Sequence, residues 1–373
     1  MHTFVVVGNS LEVLGPVLQA IRSFSRASIK VVGNDTTRSI RWSLMCSQWK
    51  YATLQMNDDD HLLQTLHHIC TKNSSSCIIA ADCDAAHALN RLRSQLHVPL
   101  APTPSAEQLA LFEDKWHFHQ FCQQQELPTP STCYFQNKKQ LDFSTLATTL
   151  GIPFVIKPTN RAGSEGVKII SSAAELEKAI LHNANYQFTP LLAQKYIAGK
   201  DIDISLLAVD GHVKVVAVQQ VSGSVIEFLS QPFLEVMAST LCKSSSYEGV
   251  MHIDARIDEL SGKIYLIESN PRYWASLSAA LWCGVNFVQE SLKYISITHS
   301  HENTNRLVGA RAYTRYPLLR PGGLRCLALD RGLRGRLVRL SVIDPWKISR
   351  LILGISKQLL RHVRTTLPRI KQH

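Results

Sequence analysis

The sequence predicts an α/β unit on a parallel sheet, then an α+β body, then a basic helical extension. Three observations carry this. Strand-length apolar runs alternate with helix-length segments over residues 1–100. Beyond residue 150, strands follow one another through short turns. From Thr304 to His373 there are 16 Lys/Arg against two acids, Asp330 and Asp344. The tail is therefore +14 in a chain of +11, and the body is −3.

The 373 residues allow two or three cored units. With 45% hydrophobic and 18% charged residues the composition is that of a folded chain rather than a disordered one. Phe4–Val7 is an apolar run without a basic stretch before it, so it is expected to be a first strand and not an export signal. No run of 18 apolar residues is present. The nine cysteines show no CxxC pair, so reduced core thiols in a cytoplasmic protein are expected and a zinc site is not.

Taken in order, Phe4–Val7, Ile29–Val32 and Cys77–Ala81 read as strands. Leu11–Phe24, Asp59–Thr71 and Ala85–Leu96 read as the helices between and after them. Gly8-Asn9-Ser10 follows the first strand, where open sheets bind ligands, but no G-x-G-x-x-G is present and Gly8 also reads as a plain turn. Pro99, Pro102 and Pro104 mark a linker. Glu107–Gln125 then reads as one long amphipathic helix. It contains Lys115, and a lone helical lysine is usually solvated.

Pro153–Lys157 and Gly166–Ile170 read as paired strands around the loop R-A-G-S-E-G. Lys157 ends an apolar strand beside that loop. Gly163, Ser164 and Gly166 allow backbone N–H groups close to an anion, although the spacing is not that of a Walker A motif and an ordinary hairpin loop would look alike. Ala173–His182 is a helix. Leu191–Ile197, the alternating stretch from Asp201 to Leu206, and Val213–Gln220 are strands. Pro232–Cys242, Trp274–Cys283 and Asn286–Ile297 are helices.

The chemistry concentrates in His252–Arg272, which reads as a β-hairpin turning at Ser261-Gly262. Asp254 and Glu268 then fall opposite each other, with Asn270 on the face of Glu268. Two carboxylates and an amide oxygen are hard ligands suited to magnesium held with nucleotide phosphates. Arg272 adds a planar cation after Pro271. Solvated surface charges are the other reading of the same hairpin.

The ordered series is Lys115, Lys157 before G-S-E-G, A-Q-K-Y-I-A-G-K-D-I-D, Asp254 and E-S-N-P-R. It resembles the ATP-grasp superfamily over residues 1–297. The resemblance implies a Rossmann-like first domain (1–104), then a two-lobed ATP-grasp module (105–190 and 191–300) and the basic extension (301–373). It implies ATP with magnesium, or manganese in its place. Lys115 and Lys157 would contact the phosphates under the mobile loop Gly163–Gly166. Gln194, Lys195, Tyr196 and Ile197 would read adenine, Gln194 standing where the family usually has Glu. Asp201, or its rival Asp203, would meet the ribose. Asp254, Glu268 and Asn270 would hold the metal, and Arg272 would steady the transferring phosphoryl group.

The stretch N-P-R-Y-W-A-S-L-S-A-A-L-W-C-G resembles the carboxylate–amine ligase branch, with carbamoyl-phosphate synthase and D-aspartate ligase-like enzymes. That implies a small carboxylate and an amine as substrates, an acyl phosphate between them, and a homodimer as in many relatives. Ser276 reads either as a substrate contact or as a helix N-cap. A kinase that stops at the phosphorylated acceptor, and a nucleotide-binding scaffold, are the rival readings. In the tail, Asp344-Pro345 opens a basic amphipathic helix over 344–364. Such a helix suits an anionic membrane surface or a protein partner, with a peripheral inner-membrane location in the first case. Its sparse aromatics argue against nucleic acid.

Overall fold

In the computed structural model, residues 3–70, 76–223, 225–295 and 304–313 are described. The amphipathic helix expected over 344–364 lies outside them. The first unit contains β1 (Thr3–Val7), α1 (Leu11–Phe24), β2 (Ser28–Gly33), β3 (Gln48–Tyr51), α2 (Asp59–Cys70), β4 (Ser76–Ala80) and α3 (Cys83–Leu92). Its four strands are all parallel, in the order β3-β2-β1-β4. β1 is buried along its whole length, as a central strand covered on both faces must be. β3 was not expected; it is a short edge strand whose residues are exposed or half-buried, so it carries no apolar run.

The expected long helix over 107–125 is two helices, α4 (Ala106–Glu113) and α5 (Lys115–Gln124). Asp114 breaks it with an extended backbone (φ −84°, ψ 124°), and its carboxylate accepts the N–H groups of Trp116 and His117 as the cap of α5. The amphipathic pattern runs through this break because both helices bury aromatic residues against the same core.

A four-stranded antiparallel sheet follows: β5 (Thr132–Phe135), α6 (Phe143–Leu150), β6 (Phe154–Pro158), β7 (Lys168–Ile170), the single turn α7 (Ala173–Leu176) and β8 (Leu191–Lys195), in the order β5-β8-β6-β7. The last sheet comprises β9 (Gly199–Val209), β10 (His212–Ser222), β11 (Val225–Leu229), β12 (Gly249–Asp258), β13 (Ile264–Asn270), β14 (Asn305–Leu307) and β15 (Arg311–Tyr313). Its path is β13-β12-β9-β10-β11-β15, with β14 beside β10. Helices α8 (Pro232–Ser244), α9 (Leu277–Trp282) and α10 (Phe287–Leu292) complete the elements of the described residues.

Three packing layers position the cleft. Under the large sheet, Ile204, Leu206, Met251, Ile253 and Ala255 meet Phe112, Phe118 and Phe121 of α4 and α5 and Leu241 of α8. On its other face, Val215, Phe228 and Val250 share one core with Leu14, Leu18 and Ile21 of α1 and with Trp274 and Phe287. Each fully buried side chain of this size contributes about 1.5–3 kcal/mol, so the first unit and the large sheet are joined by a real core. Ser278 donates to Gln19 Oε1 and Asn286 Nδ2 donates to the Ala20 carbonyl across the same seam. The small sheet keeps a separate core of Phe154, Ile156, Leu176, Ile180 and Leu191.

Candidate functional site

The polar face of the large sheet is a grid set by strand alternation. On β12, Met251, Ile253 and Ala255 point into the core, so His252, Asp254 and Arg256 point out. β9 pairs with register Ser205↔His252, Asp203↔Asp254 and Asp201↔Arg256. On the opposite side β13 pairs His252↔Asn270 and Asp254↔Glu268. The last pairing needs a β-bulge. Ile264 and Leu266 point into the core, and a strict period of two would send Glu268 there as well. The register slips between Asp254 and Ala255, leaving Ile267 without a partner. Ser269 then turns inward, and Glu268 and Asn270 turn outward.

The carboxyls of Asp254 and Glu268 face each other across the β12–β13 pairing. Burial raises the Glu268 carboxyl, against the pull of Lys115 and Lys157; Asp254 is held low, burial being outweighed by His252. Lys115 and Lys157 stand over the pair. Lys115 Nζ lies 3.4 Å from Glu268 Oε2 and donates to the Arg161 carbonyl, while its backbone N–H donates to Thr159. It is buried (8% exposed), contrary to the usual solvated helical lysine, because the break at Asp114 puts it in the first turn of α5, facing the cleft. Lys157 is 4% exposed, and burial pushes its ammonium down to about 8 while Glu268 pulls upward. Arg272 donates from Nη2 to Asn270 Oδ1 and from Nη1 to the Tyr273 carbonyl. Two buried ammoniums, a guanidinium and an acid–amide set thus converge on one cleft between the sheets.

The family model described as "ATP-grasp domain" matches residues 112–276. This part of the chain is an ATP-grasp domain. The chain is 26% identical over 186 residues to the arginine-specific carbamoyl phosphate synthase large chain of Bacillus subtilis, covering 45% of this chain and 17% of that one. It is 26% identical over 163 residues to the D-alanine–D-alanine ligase of Flavobacterium psychrophilum, covering 43% and 45%. The chain therefore spans less than half of either relative. Among solved structures, the biotin carboxylase domain of Hydrogenobacter thermophilus 2-oxoglutarate carboxylase, determined as a dimer with MgADP and bicarbonate, superposes with a TM-score of 0.60 at 18% identity. That match covers 81% of this chain and 71% of the other, and bears out the mixed α/β and α+β architecture.

In this ATP-grasp domain the loop 161–166 leaves β6 with Gly163, Ser164 and Gly166 all at positive φ. The three are exposed or half-buried at the mouth of the cleft. Gln194 lies on β8, and its amide donates to Thr132 Oγ1 at 2.9 Å across the sheet. Lys195, Tyr196 and Ile197 carry the chain from β8 toward β9. Asp201 and Asp203 part company: Asp201 is exposed and paired with Arg256 Nη1 at 3.1 Å, whereas Asp203 turns toward His252 and Asp254. Burial pushes the Asp203 carboxyl up to about 6, with His252 opposing. Ser276 precedes α9, but its hydroxyl makes no cap; it accepts from Gln219 Nε2 at 3.3 Å. Gly8–Ser10 is closed by the protein itself, since Asp82 Oδ2 accepts from the N–H groups of Asn9 and Ser10.

Two residues of the site escaped the sequence reading. Arg256 binds Asp201, donates to the Gly199 carbonyl at 2.8 Å and lies 5.3 Å over the Tyr196 ring, tying the link between the sheets to β12. His252 bonds Asp254 Oδ1 from Nε2 at 3.1 Å. Its signal was present, an imidazole two residues before Asp254 on one strand face.

Lys157 gives a pH prediction. Its pKa is about 8 in the folded chain against 10.5 for a freely solvated lysine, so the unfolded chain binds more protons between those values and stability rises with pH there. Without nucleotide, the stability of wild type relative to Lys157→Met is expected to rise by up to about 3 kcal/mol from pH 8 to 10.5. Denaturant midpoints across this range measure it, and a flat difference would show that Lys157 is not buried as a charge.

Proposed function

We propose that the chain is an ATP-dependent ligase joining a carboxylate to an amine. The observation that carries this reading is the outward pairing of Asp254 with Glu268 beneath Lys115 and Lys157, with Arg272 and Asn270 at the same edge. Two carboxyls paired across adjacent strands are a fitting pair of hard donors, so Asp254, Glu268 and Asn270 would hold Mg2+, or Mn2+. The ion would neutralise charge on the β- and γ-phosphate oxygens.

The chain's own groups do the rest. Lys115 and Lys157 bind phosphate oxygens, and the 163–166 loop closes over them with its backbone N–H groups. The link 194–197 receives adenine, and Asp201, the more exposed acid of β9, receives the ribose. A substrate carboxylate oxygen attacks the γ-phosphorus, the bond to ADP breaks, and Arg272 balances the charge. The amine nitrogen then attacks the acyl carbon, phosphate leaves, and the amine's proton passes to phosphate or solvent. Closing the small lobe keeps water from the acyl phosphate.

The D-alanine–D-alanine ligase relationship supports carbon–nitrogen bond formation, and the MgADP-bound structural neighbour supports the nucleotide and metal. That neighbour is a dimer, which supports a homodimer here. Among the described residues no helix is long and apolar enough to cross a membrane. We retain a cytoplasmic location, with membrane contact through 344–364, as part of the proposal.

The test is ADP and phosphate release with Mg2+ and ATP across a panel of amino acids, amines and carboxylates. Release that requires a carboxylate–amine pair, with an amide detected by mass spectrometry, is expected. A stable phosphorylated acceptor without amide would replace the ligase reading with a kinase.

A further inference from the structure

Next to the acid pair is an arrangement that magnesium alone does not require. His252, Asp203 and Asp254 each offer one ligand atom, and the three atoms lie within 4.8 Å of one another. An imidazole set for a metal has its other ring nitrogen bonded to a fixed oxygen, which selects the tautomer and aims the free lone pair. Here Nδ1 meets Ser205 Oγ at 2.9 Å, and Ser205 is buried, its position set by the β9–β12 register. The ring is also stacked on Trp274, with centroids 5.6 Å apart and planes at 16°. Trp274 is itself clamped against Phe287. Nε2 is thereby fixed toward Asp254, at 3.1 Å from Oδ1. Asp203 is oriented from outside the cluster, by Gln219 Nε2 at 3.4 Å from Oδ2.

We propose that His252, with Asp203 and Asp254, supplies a nitrogen-containing ligand set that draws a first-row transition-metal dication, with Mn2+ as the probe, into this cleft in preference to Mg2+. The inference rests on the metal reading of Asp254, Glu268 and Asn270. It adds the imidazole and Asp203 to that set, with Asp254 common to both. Magnesium prefers all-oxygen surroundings and keeps its waters, whereas imidazole suits metals further along the first row. A second use of the same histidine is to hold Asp254 as an ion pair and never to touch a metal. The two uses differ in a quantity that can be read directly.

The experiment takes full-length protein with its histidines labelled with 15N, loads it with Mn2+ and ADP, and records pulsed electron–nuclear double resonance. Label confined to histidine separates a protein nitrogen from those of adenine. A directly bound 15N coupling is expected in the wild type and is absent from His252→Asn. Mn2+ affinity of that variant falls by at least about tenfold, while Mg2+ affinity is little changed. Ser205→Ala weakens Mn2+ by about tenfold and keeps the coupling, as loss of a supporting contact should. Mn2+ bound in the wild type without histidine coupling overturns this inference and leaves the acid–amide site standing. No Mn2+ binding at all, with or without ADP, overturns both. If His252→Asn fails to fold, His252→Gln takes its place in the same measurement, and a coupling that persists in it overturns the assignment to His252.

Discussion

Glu268→Gln is expected to lower turnover at least about 10³-fold while leaving the fold in place. Glu268 stands opposite Asp254, is mostly buried, and faces Lys115 at 3.4 Å. Gln keeps the shape and hydrogen bonding but cannot supply the negative oxygen that a cation between the two side chains needs. Without nucleotide, the variant also removes the repulsion between the Asp254 and Glu268 carboxylates, offsetting the partner lost by Lys115. Its melting temperature should therefore stay within about 3 °C of wild type. Wild type should gain thermal stability from Mg2+ with ATP, and the variant should lose most of that gain. Turnover within tenfold of wild type would remove Glu268 from the metal set.

Gly199→Ala is expected to cost about 2–4 kcal/mol of stability. Gly199 opens β9 just after the link between the small sheet and the large one. Its φ is +143°, and an added Cβ would lie 1.9 Å from the Ile257 carbonyl oxygen and 2.9 Å from the Glu259 nitrogen. Both neighbours are backbone at the end of β12, so neither can swing aside. Relief requires the end of the β9–β12 ladder to open, where Gly199 pairs with Asp258. The same opening moves the Gly199 carbonyl from Arg256 and loosens the clamp on Asp201 and Tyr196. KM for ATP should rise along with the loss of stability. A denaturation midpoint equal to wild type would show that the close approach at Gly199 is absent in solution.

The hairpin was legible because its residues alternate over a long stretch with one clear turn, and the parallel sheet because buried central strands are uninterrupted apolar runs. The Asp254–Glu268 pairing could be placed from the turn, but the bulge at Ile267 that turns Glu268 outward could not. Bulges depend on which neighbours the strand finds in three dimensions. Lys115 looked solvated because the pattern around it continues across Asp114, where only a capping side chain marks the break. β11 was missed although Ser222-Gly223 separates two apolar runs, a usable hairpin signal. β5 offered less, four residues at the edge of a small sheet after a Pro-Thr-Pro run. The site's second layer, Ser205 behind His252 and Arg256 behind Tyr196, depends on strand register between distant segments, which one sequence does not report.

The shared core of α1, α9 and α10 has a consequence for engineering. The first unit and the large sheet interlock through Leu14, Leu18, Ile21, Trp274 and Phe287, while the small sheet holds itself together. The cleft thus has one jaw anchored to the first unit and one jaw with a core of its own. A chimera that imports a relative's first unit to change substrate choice must import the segment after Arg272 with it, or the seam will not close. The small lobe, in contrast, is the part that can be exchanged between relatives as a cassette cut at residues 131 and 198.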